Sequence, residues 1–164
     1  MFKKLICVEP VHRRPPKFEG DPDAKLALVR YHLRGMPWLT LNVIIHDEQQ
    51  MHNHRWHFIS MLLKGSYIEK WIDEKGEHHE KLRKAWRPSG LYFRNANHFH
   101  EVCAQNGEKV YTLFFRVLWP RVRKENQVIY EGRPMSTTRF LIKKGWTKEQ
   151  LAYFWNSNVI RKQK

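Results

Sequence analysis

The sequence predicts an all-β domain built as an antiparallel sandwich or barrel. Short runs of apolar and β-branched residues recur along the chain, and turns rich in Gly, Pro and Asn separate them. The chain has 164 residues, of which 41% are hydrophobic, and it contains 7 Trp. This length and composition are typical of one globular domain with a sizeable core.

The individual strands follow from these runs and from the turns between them. The segment after His54 predicts a strand that ends at Gly65, and the next strand carries Tyr67 and Glu69. Further strands are predicted over residues 25–33, 38–45, 91–94, 98–104 and 110–118, and residues 77–82 form an exposed strand or a loop. Their short, regular spacing indicates antiparallel neighbours.

Both ends of the chain depart from this pattern. Prolines at positions 10, 15, 16 and 22 exclude a continuous helix or a central strand, so residues 1–24 are predicted to form an N-terminal arm over the domain. Residues 25–120 form the predicted β-barrel, and residues 121–164 form a C-terminal extension. Thr147-Lys148-Glu149-Gln150 has the form of a capping box and predicts an amphipathic helix over about residues 147–157, with Leu151, Phe154 and Trp155 on its apolar face.

The chain is strongly basic. It contains 30 Lys and Arg against 16 Asp and Glu, which gives a formal net charge of +14. This excess attracts anions, so the candidate partners are small anionic molecules and nucleic acid. The basic residues are scattered and form no aromatic-plus-basic nucleic-acid motif, so a solvated surface that serves solubility explains the charge equally well.

Cysteine usage and hydropathy indicate the compartment. Cys7 and Cys103 show neither a disulfide pattern nor the CxxC spacing of a metal site, and we interpret both as reduced thiols. The apolar run at the N-terminus is too short for a signal peptide, and no later run has the length needed to cross a membrane. We therefore expect a cytoplasmic protein without membrane contact.

The histidines form the main functional pattern. His52 and His54 are two residues apart, and on a strand their side chains would point to the same face, where both can reach one metal ion. His98 and His100 are also two residues apart, so on a strand their side chains would point to one face. One of them can supply the third ligand of the site. The alternative is that these histidines pack and form hydrogen bonds within the sheet. Two matching pairs favour the metal site over that alternative.

The same residues carry a resemblance to a known family. His52-Asn53-His54 and the later Gly65 match the first motif of the cupin superfamily, except that Phe58 stands where that motif has Glu. Gly90 and His100 match the first and last residues of the second cupin motif. Asn95 and His98 replace its internal Pro and Gly.

This resemblance covers about residues 25–120 and implies a jelly-roll β-barrel, also called RmlC-like. The sequence from His52 to Glu69 is also similar to small uncharacterised cupins of bacteria and phages. Cupins commonly dimerise through their outer strands, so the resemblance implies a homodimer.

Carried over from the cupin motifs, the metal ligands are His52, His54 and His100. Such a neutral three-histidine site suits a divalent transition metal, Fe, Zn, Ni or Mn, with positions left open for water or substrate. His98 is a candidate fourth ligand or proton-transfer group. His57 is a second choice as ligand, because only a bulge would turn it towards the site.

The resemblance implies a metal-dependent, dioxygenase-like enzyme that acts on a small anionic substrate. On a strand, Arg94 would point to the same face as His98 and could hold a carboxylate or phosphate near the metal. A surface ion pair explains the presence of this arginine equally well. On a strand, Trp56 and Phe58 would point to the same face as His52 and His54. They would then line an apolar substrate pocket, unless they simply belong to the core.

Two alternatives stay open. The first is a metal-independent, sugar-nucleotide epimerase-like or isomerase-like cupin, in which His98 or His100 acts as base and Tyr67 or Tyr92 as acid. The second is a non-catalytic basic module that binds nucleic acid or another acidic partner. Binding that weakens with salt but is indifferent to His52→Ala would favour this module.

Overall fold

The computed structural model describes residues 6–14, 21–22, 25–33, 35–46, 50–105, 107–117 and 126–158. Its strands are β1 (Ile6–Arg14), β2 (Lys25–Leu33), β3 (Leu39–Ile44), β4 (His57–Lys64), β5 (Ser66–Ile72), β6 (His78–Lys84), β7 (Leu91–Arg94), β8 (Phe99–Ala104), β9 (Val110–Val117), β10 (Gln127–Tyr130) and β11 (Arg133–Ser136). Its helices are α1 (Thr137–Lys143) and α2 (Lys148–Asn158), and a 3-10 turn at Pro88–Gly90 precedes β7.

The strands form two larger sheets and one hairpin. The six-stranded sheet has the order β1-β2-β3-β9-β4-β7, and the three-stranded sheet has the order β6-β5-β8. Strands β10 and β11 pair with each other, and every neighbouring pair is antiparallel.

A short segment around His52 links the hairpin to the three-stranded sheet. His52 forms isolated antiparallel bridges with His100 of β8 and with Val128 of β10. His52 and His100 exchange both backbone hydrogen bonds, at 2.9 and 2.8 Å, and the backbone N–H of Ile129 donates to Met51 at 3.0 Å. The segment therefore lies between β8 and β10 and continues the sheet towards β11.

The two larger sheets enclose a common core. From the six-stranded sheet it contains Leu28, Ile44, Leu62 and Val110, and from the other sheet it contains Tyr67 and Val102. All six are nearly inaccessible to solvent, so their burial supplies the main stabilisation of the fold. The predicted antiparallel β-sheet fold is thus confirmed. No sheet in the described part of the chain closes on itself, and the closed jelly-roll barrel stays a prediction.

The six-stranded sheet also has an apolar outer face. Ile59 of β4 lies opposite Phe93 of β7 and Phe115 of β9, and Trp38 stacks on Phe115 with ring centroids 6.4 Å apart. Phe93 is 55% exposed on the edge strand, and its neighbour Leu91 is 56% exposed. Exposed contiguous apolar surface of this kind is a feature of interaction faces.

The N-terminal segment differs from the expected arm. Residues 6–14 form β1, which pairs along β2 at the edge of the six-stranded sheet, with Pro10 opposite Val29. An edge strand tolerates proline because the missing N–H is not needed by a second neighbour. The prolines therefore exclude a central strand, as expected, but not an edge strand.

The C-terminal extension contains more structure than the sequence analysis predicted. The β10–β11 hairpin and α1 were not expected there. Tyr130 pairs with Arg133 across a two-residue loop, Glu131-Gly132, in which both residues have positive φ. Such a loop favours a primed hairpin turn, for which Gly at the second position is a known signal.

Helix α2 lies where the capping box predicted it. The Thr147 hydroxyl accepts the N–H of Gln150 at 3.3 Å, and the Gln150 side chain accepts the N–H of Thr147 at 3.0 Å. These reciprocal bonds satisfy two N–H groups at the start of the helix. The side chains of Phe154 and Trp155, that of Cys7, and the predicted strand end at Leu118 lie outside the described residues.

Neither helix of the described chain has the length and apolar character required to cross a bilayer.

Candidate metal centre

The structure brings His52, His54 and His100 together between the two sheets. Their ring centroids lie 5.0 Å apart for His52 and His54, and 5.1 Å apart for each of the other two pairs. One nitrogen from each ring lies within 4.8 Å of the other two. The Nε2 atoms of His54 and His100 are 2.9 Å apart.

These distances fit a shared metal ion. Two imidazole nitrogens that each lie about 2.1 Å from one metal at a right angle are about 3.0 Å apart. The observed separation of the His54 and His100 Nε2 atoms is 2.9 Å, a hydrogen-bond distance that also agrees with such an edge of a coordination polyhedron. The three donors are neutral nitrogen ligands, a set that suits Zn, Fe, Ni and other late divalent metals.

The three histidines do not converge for the reason expected from the sequence. His52 and His54 were expected to share a continuous strand, but β4 starts only at His57, so that expectation is wrong. Instead His52 is fixed by its bridges to β8 and β10. The His54 ring lies against Phe58 and Phe114, with centroids 4.7 and 5.4 Å away.

Asn53 fixes the loop between the two histidines. It is fully buried, and its backbone and side chain form three hydrogen bonds with Gln127 of β10, at 3.0, 3.1 and 2.8 Å. The loop therefore depends on the C-terminal extension, which the sequence analysis had placed outside the barrel. Gln50 also donates to the carbonyl of Ile129.

Hydrogen bonds determine which ring nitrogen carries the proton in two of the histidines. His52 Nδ1 lies 3.1 Å from the carbonyl oxygen of Gln50, and His100 Nδ1 lies 3.3 Å from Glu69 Oε1. A carbonyl or carboxylate oxygen can only accept, so each Nδ1 carries the proton. The Nε2 atoms of His52 and His100 then carry the lone pairs, which is the tautomer that ligating histidines usually adopt.

Glu69 supports the centre from behind His100. Its side chain has 0% exposure and accepts hydrogen bonds from two arginines. Arg83 donates to Oε2 through Nε at 2.9 Å and through a terminal nitrogen at 2.5 Å. Arg94 donates to Oε1 at 3.1 Å and to Oε2 at 2.7 Å. Glu69 thus orients the His100 ring through its contact with Nδ1 and does not belong to the group of three possible ligands.

The charge state of Glu69 follows from these contacts. Burial alone would raise its pKa, but hydrogen bonding to His100 and the nearby charges of His100 and Arg94 outweigh burial and lower the pKa from 4.5 to about 2. Glu69 is therefore ionised at neutral pH. The pair of arginines and the carboxylate form a buried ion network with one excess positive charge.

The imidazole of His54 has a strongly lowered pKa. Burial first, and then the charges of His52 and His100, lower the pKa of His54 well below 6.5. The ring is neutral at physiological pH, which is the form that binds metal.

The two predicted catalytic tyrosines lie deeper in the core. The hydroxyl groups of Tyr67 and Tyr92 hydrogen-bond to each other, and the Tyr92 ring lies 4.3 Å beneath the Arg83 guanidinium. Burial raises the pKa of Tyr67 well above 10 and that of Tyr92 to about 12. Both hydroxyls are protonated at physiological pH, and their catalytic role stays a prediction.

The predicted substrate-binding residues occupy three different environments. Arg94 is held by the Glu69 carboxylate, as described above. Phe58 is 1% exposed and stacks on Phe114 at 4.4 Å. The guanidinium groups of Arg55 and Arg116 lie 4.4 and 5.3 Å from the ring centroid of Trp56. Substrate binding by these residues stays a prediction.

The remaining candidate histidines lie outside the trio. His98 Nε2 is buried without a hydrogen-bond partner in the described structure, and burial and the charge of Arg94 lower the pKa of His98 to about 4. His57 Nδ1 accepts the N–H of Ala96 at 3.2 Å, and its ring stacks on Phe93 on the outer face. Neither belongs to the group of three possible ligands.

Solved structures of known proteins are similar to this chain at low sequence identity. No protein-family model matches the sequence, and no curated protein matches it. Similar solved structures include hydroxypropylphosphonic acid epoxidase from S. wedmorenis, which is 15% identical, has a TM-score of 0.42, and aligns over 55% of this chain and 50% of its own. The chain therefore spans about half the length of that enzyme.

Two further solved structures are similar at the same level. CapF, a capsular polysaccharide assembling protein from Staphylococcus aureus, is 10% identical with a TM-score of 0.40, over 47% of this chain and 21% of its own. Oxalate decarboxylase from Bacillus subtilis is 14% identical with a TM-score of 0.48, over 92% of this chain and 38% of its own. All three are cupin-fold proteins.

Sequence reasoning missed several residues that build this site. The sequence placed Glu69 on the predicted strand with Tyr67. Its hydrogen bonds with Arg83 and Arg94 were missed because the three residues lie on three different strands. The partnership of Asn53 with Gln127 joins positions 74 residues apart. For Asn53, its place between two histidines was the only signal in the sequence.

Proposed function

We propose that this chain is a metal-dependent, dioxygenase-like enzyme of the cupin type that acts on a small anionic substrate. His52, His54 and His100 bind one divalent transition metal, Fe, Zn, Ni or Mn. The observation that carries the proposal is the convergence of three imidazoles, with the Nε2 atoms of His54 and His100 separated by 2.9 Å.

The protein environment supports this assignment. In both His52 and His100, Nδ1 is hydrogen-bonded to an oxygen acceptor. This bond directs the Nε2 lone pair towards the metal position that the three rings would share. Glu69 is held ionised and immobile by two arginines, so the orientation of His100 is fixed before metal binds. Preorganised ligands of this kind increase metal affinity because little ordering is required on binding.

Three protein ligands leave coordination positions open, which distinguishes a catalytic from a structural site. The bound metal would supply Lewis acidity and, if it is iron, redox chemistry with dioxygen. The chain itself contributes the apolar wall of Phe58 and Phe114 against His54, which excludes water from that side of the ring.

The open coordination position can be tested without knowing the substrate. Mn²⁺ is added to the wild-type protein and to His100→Ala, and the relaxation of water protons is measured by NMR. The matched control is His78→Ala, which removes an exposed histidine of β6. We expect the wild type and His78→Ala to bind Mn²⁺ with an exchangeable water on the metal, and His100→Ala to lose this signal.

Two results would contradict the proposal. Equal Mn²⁺ binding by the wild type and His100→Ala would place the metal elsewhere. Tight binding at the three histidines without an exchangeable water would indicate a closed, structural site.

A further inference from the structure

Trp86 is exposed and has a strained backbone conformation. It lies in the loop that connects β6 to β7, its side chain is 78% exposed, and its φ is 56°. It is the most exposed of the large apolar side chains that the structure describes. A positive φ is an outlier for a bulky residue, and such conformations are concentrated at functional sites. Neither feature favours folding, so together they indicate a binding role for this side chain.

The loop that carries Trp86 has fixed ends. The backbone N–H of Lys84 donates to Ser89 Oγ at 3.4 Å, and the buried Arg83 donates to the Ser89 carbonyl oxygen at 3.1 Å. The two ends touch at Gly90, where a Cβ would lie 2.3 Å from the Lys84 carbonyl oxygen. The loop therefore presents Trp86 in a defined position before any ligand binds.

Two neighbouring segments meet at this loop. The backbone N–H of Ala85 donates to the Gly65 carbonyl oxygen at 3.1 Å. A Cβ at Gly65 would in turn lie 3.4 Å from the Lys109 carbonyl oxygen. These contacts join three segments into one surface, which we call the loop cluster: residues 64–66, 84–90 and 107–110.

The loop cluster lies away from the three histidines. Strand β5 pairs with β8 from Trp71, which is opposite His100, to Tyr67, which is opposite Ala104. The cluster adjoins the Tyr67 end of β5, because Gly65 directly precedes this strand. A ligand at the loop cluster thus binds at the other end of β5 from the metal centre, and its binding is independent of the proposed function.

The loop cluster has an excess of positive charge. Lys84 and Arg87 lie on either side of Trp86 in the same loop. The cluster exposes four basic residues and one acidic residue in all, namely Lys64, Lys84, Arg87, Lys109 and Glu108. These basic residues are scattered in the sequence, and the contacts between the three segments bring them to one end of the sandwich. Such a surface attracts a polyanion.

An exposed tryptophan between two cations fits single-stranded nucleic acid. Every base has a face that can stack on an aromatic side chain, and lysine and arginine neutralise the neighbouring phosphates. The bases of a duplex are already stacked on each other and offer no free face to Trp86. A bilayer fits less well, because residues 84–90 contain one bulky apolar side chain and would bury little apolar area.

We propose that Trp86 stacks on a base of single-stranded nucleic acid while Lys84 and Arg87 contact its phosphates. Lys109 continues the phosphate contacts onto the adjacent segment. Stacking of this kind tolerates any base, so the site binds without sequence preference. The fixed loop ends reduce the ordering that binding requires.

The test measures the fluorescence anisotropy of a labelled single-stranded oligothymidine as protein is added, at several salt concentrations. The same titration is made with a duplex of equal length, and binding to vesicles of phosphatidylserine and phosphatidylcholine is measured by flotation. The variants are Trp86→Ala, Trp86→Phe and Arg87→Ala. The matched control is Lys75→Ala, which removes an exposed lysine at the other end of β5.

We expect the wild type and Lys75→Ala to bind oligothymidine with equal affinity and to bind the duplex more weakly. Trp86→Ala should weaken binding to oligothymidine by roughly fivefold to a hundredfold, and Trp86→Phe by less, because a smaller ring remains. Arg87→Ala should weaken binding and reduce the slope of log affinity against log salt by about 0.7, as expected for one lost phosphate contact.

Unchanged affinity in Trp86→Ala, or no saturable binding by the wild type, would overturn the proposal. Equal affinity for the duplex would also overturn it, since the base would then not need a free face. Binding to the vesicles without binding to oligothymidine would assign the loop to a membrane surface instead. If Trp86→Ala does not fold, Trp86→Gly decides the question, because glycine adopts a positive φ without strain.

Discussion

The Glu69→Gln substitution tests the buried ion network behind His100. It removes the negative charge and leaves Arg83 and Arg94 buried beside each other without a carboxylate. The pKa of Glu69 is lowered from 4.5 to about 2. At about 1.4 kcal/mol per pKa unit, ionised Glu69 contributes roughly 3 kcal/mol to the free energy of unfolding at neutral pH. Removing one member of a buried pair typically costs about 3–5 kcal/mol.

The contribution has a defined pH dependence. Because the folded-state pKa lies below the unfolded value, the stabilisation is complete above pH 4.5 and decreases as pH falls towards 2. Urea unfolding of the wild type and Glu69→Gln should therefore differ by several kcal/mol near neutral pH and by only about 1 kcal/mol at about pH 3.

Glu80→Gln, at an exposed position of β6, is the matched control, and its stability should stay within about 0.5 kcal/mol of the wild type. A Glu69→Gln variant as stable as the wild type near neutral pH would refute the reasoning. So would a stability difference that does not shrink in acid, since it would then not arise from the carboxylate charge.

Three further predictions concern packing and assembly. Phe58→Ala should lower the free energy of unfolding by about 3–5 kcal/mol, whereas Phe93→Ala on the exposed outer face should change it little; equal effects in thermal denaturation would contradict this. Gly90→Ala should lower Tm, because its Cβ would lie 2.3 Å from the Lys84 carbonyl oxygen; an unchanged Tm would show that β6 moves freely. A second copy packed on the apolar outer face should give a mass near twice 20.0 kDa in light scattering, and a monomer would exclude the homodimer.

The sequence allowed most strands to be predicted, because local patterning determines them. Strand β2 has the predicted bounds, and the apolar run from Val110 predicted β9. The hairpin at Glu131-Gly132 was missed although its turn residues and the flanking apolar residues are a recognisable signal. Strand β1 was missed because its prolines were read without considering an edge position.

The site was predictable in its ligand residues but not in its support. His52, His54 and His100 could be grouped from spacing and from the cupin motifs, but the strand assumed to align the first two does not exist. Their alignment comes from β8, β10 and Asn53, and the Asn53 contact with β10 joins residues 74 positions apart in the sequence. The roles of Glu69 and Arg83 likewise depend on side-chain contacts between strands, which local periodicity does not encode.

The most direct test of the metal centre is elemental analysis of the purified, untagged protein beside a His52→Ala/His54→Ala double variant. Both proteins are analysed as isolated and after reconstitution with Fe²⁺, Zn²⁺, Ni²⁺ and Mn²⁺. The structure predicts about one transition metal per wild-type chain and loss of that metal in the double variant. A wild type that holds none of these metals after reconstitution, or a double variant that retains its metal, would contradict the three-histidine centre.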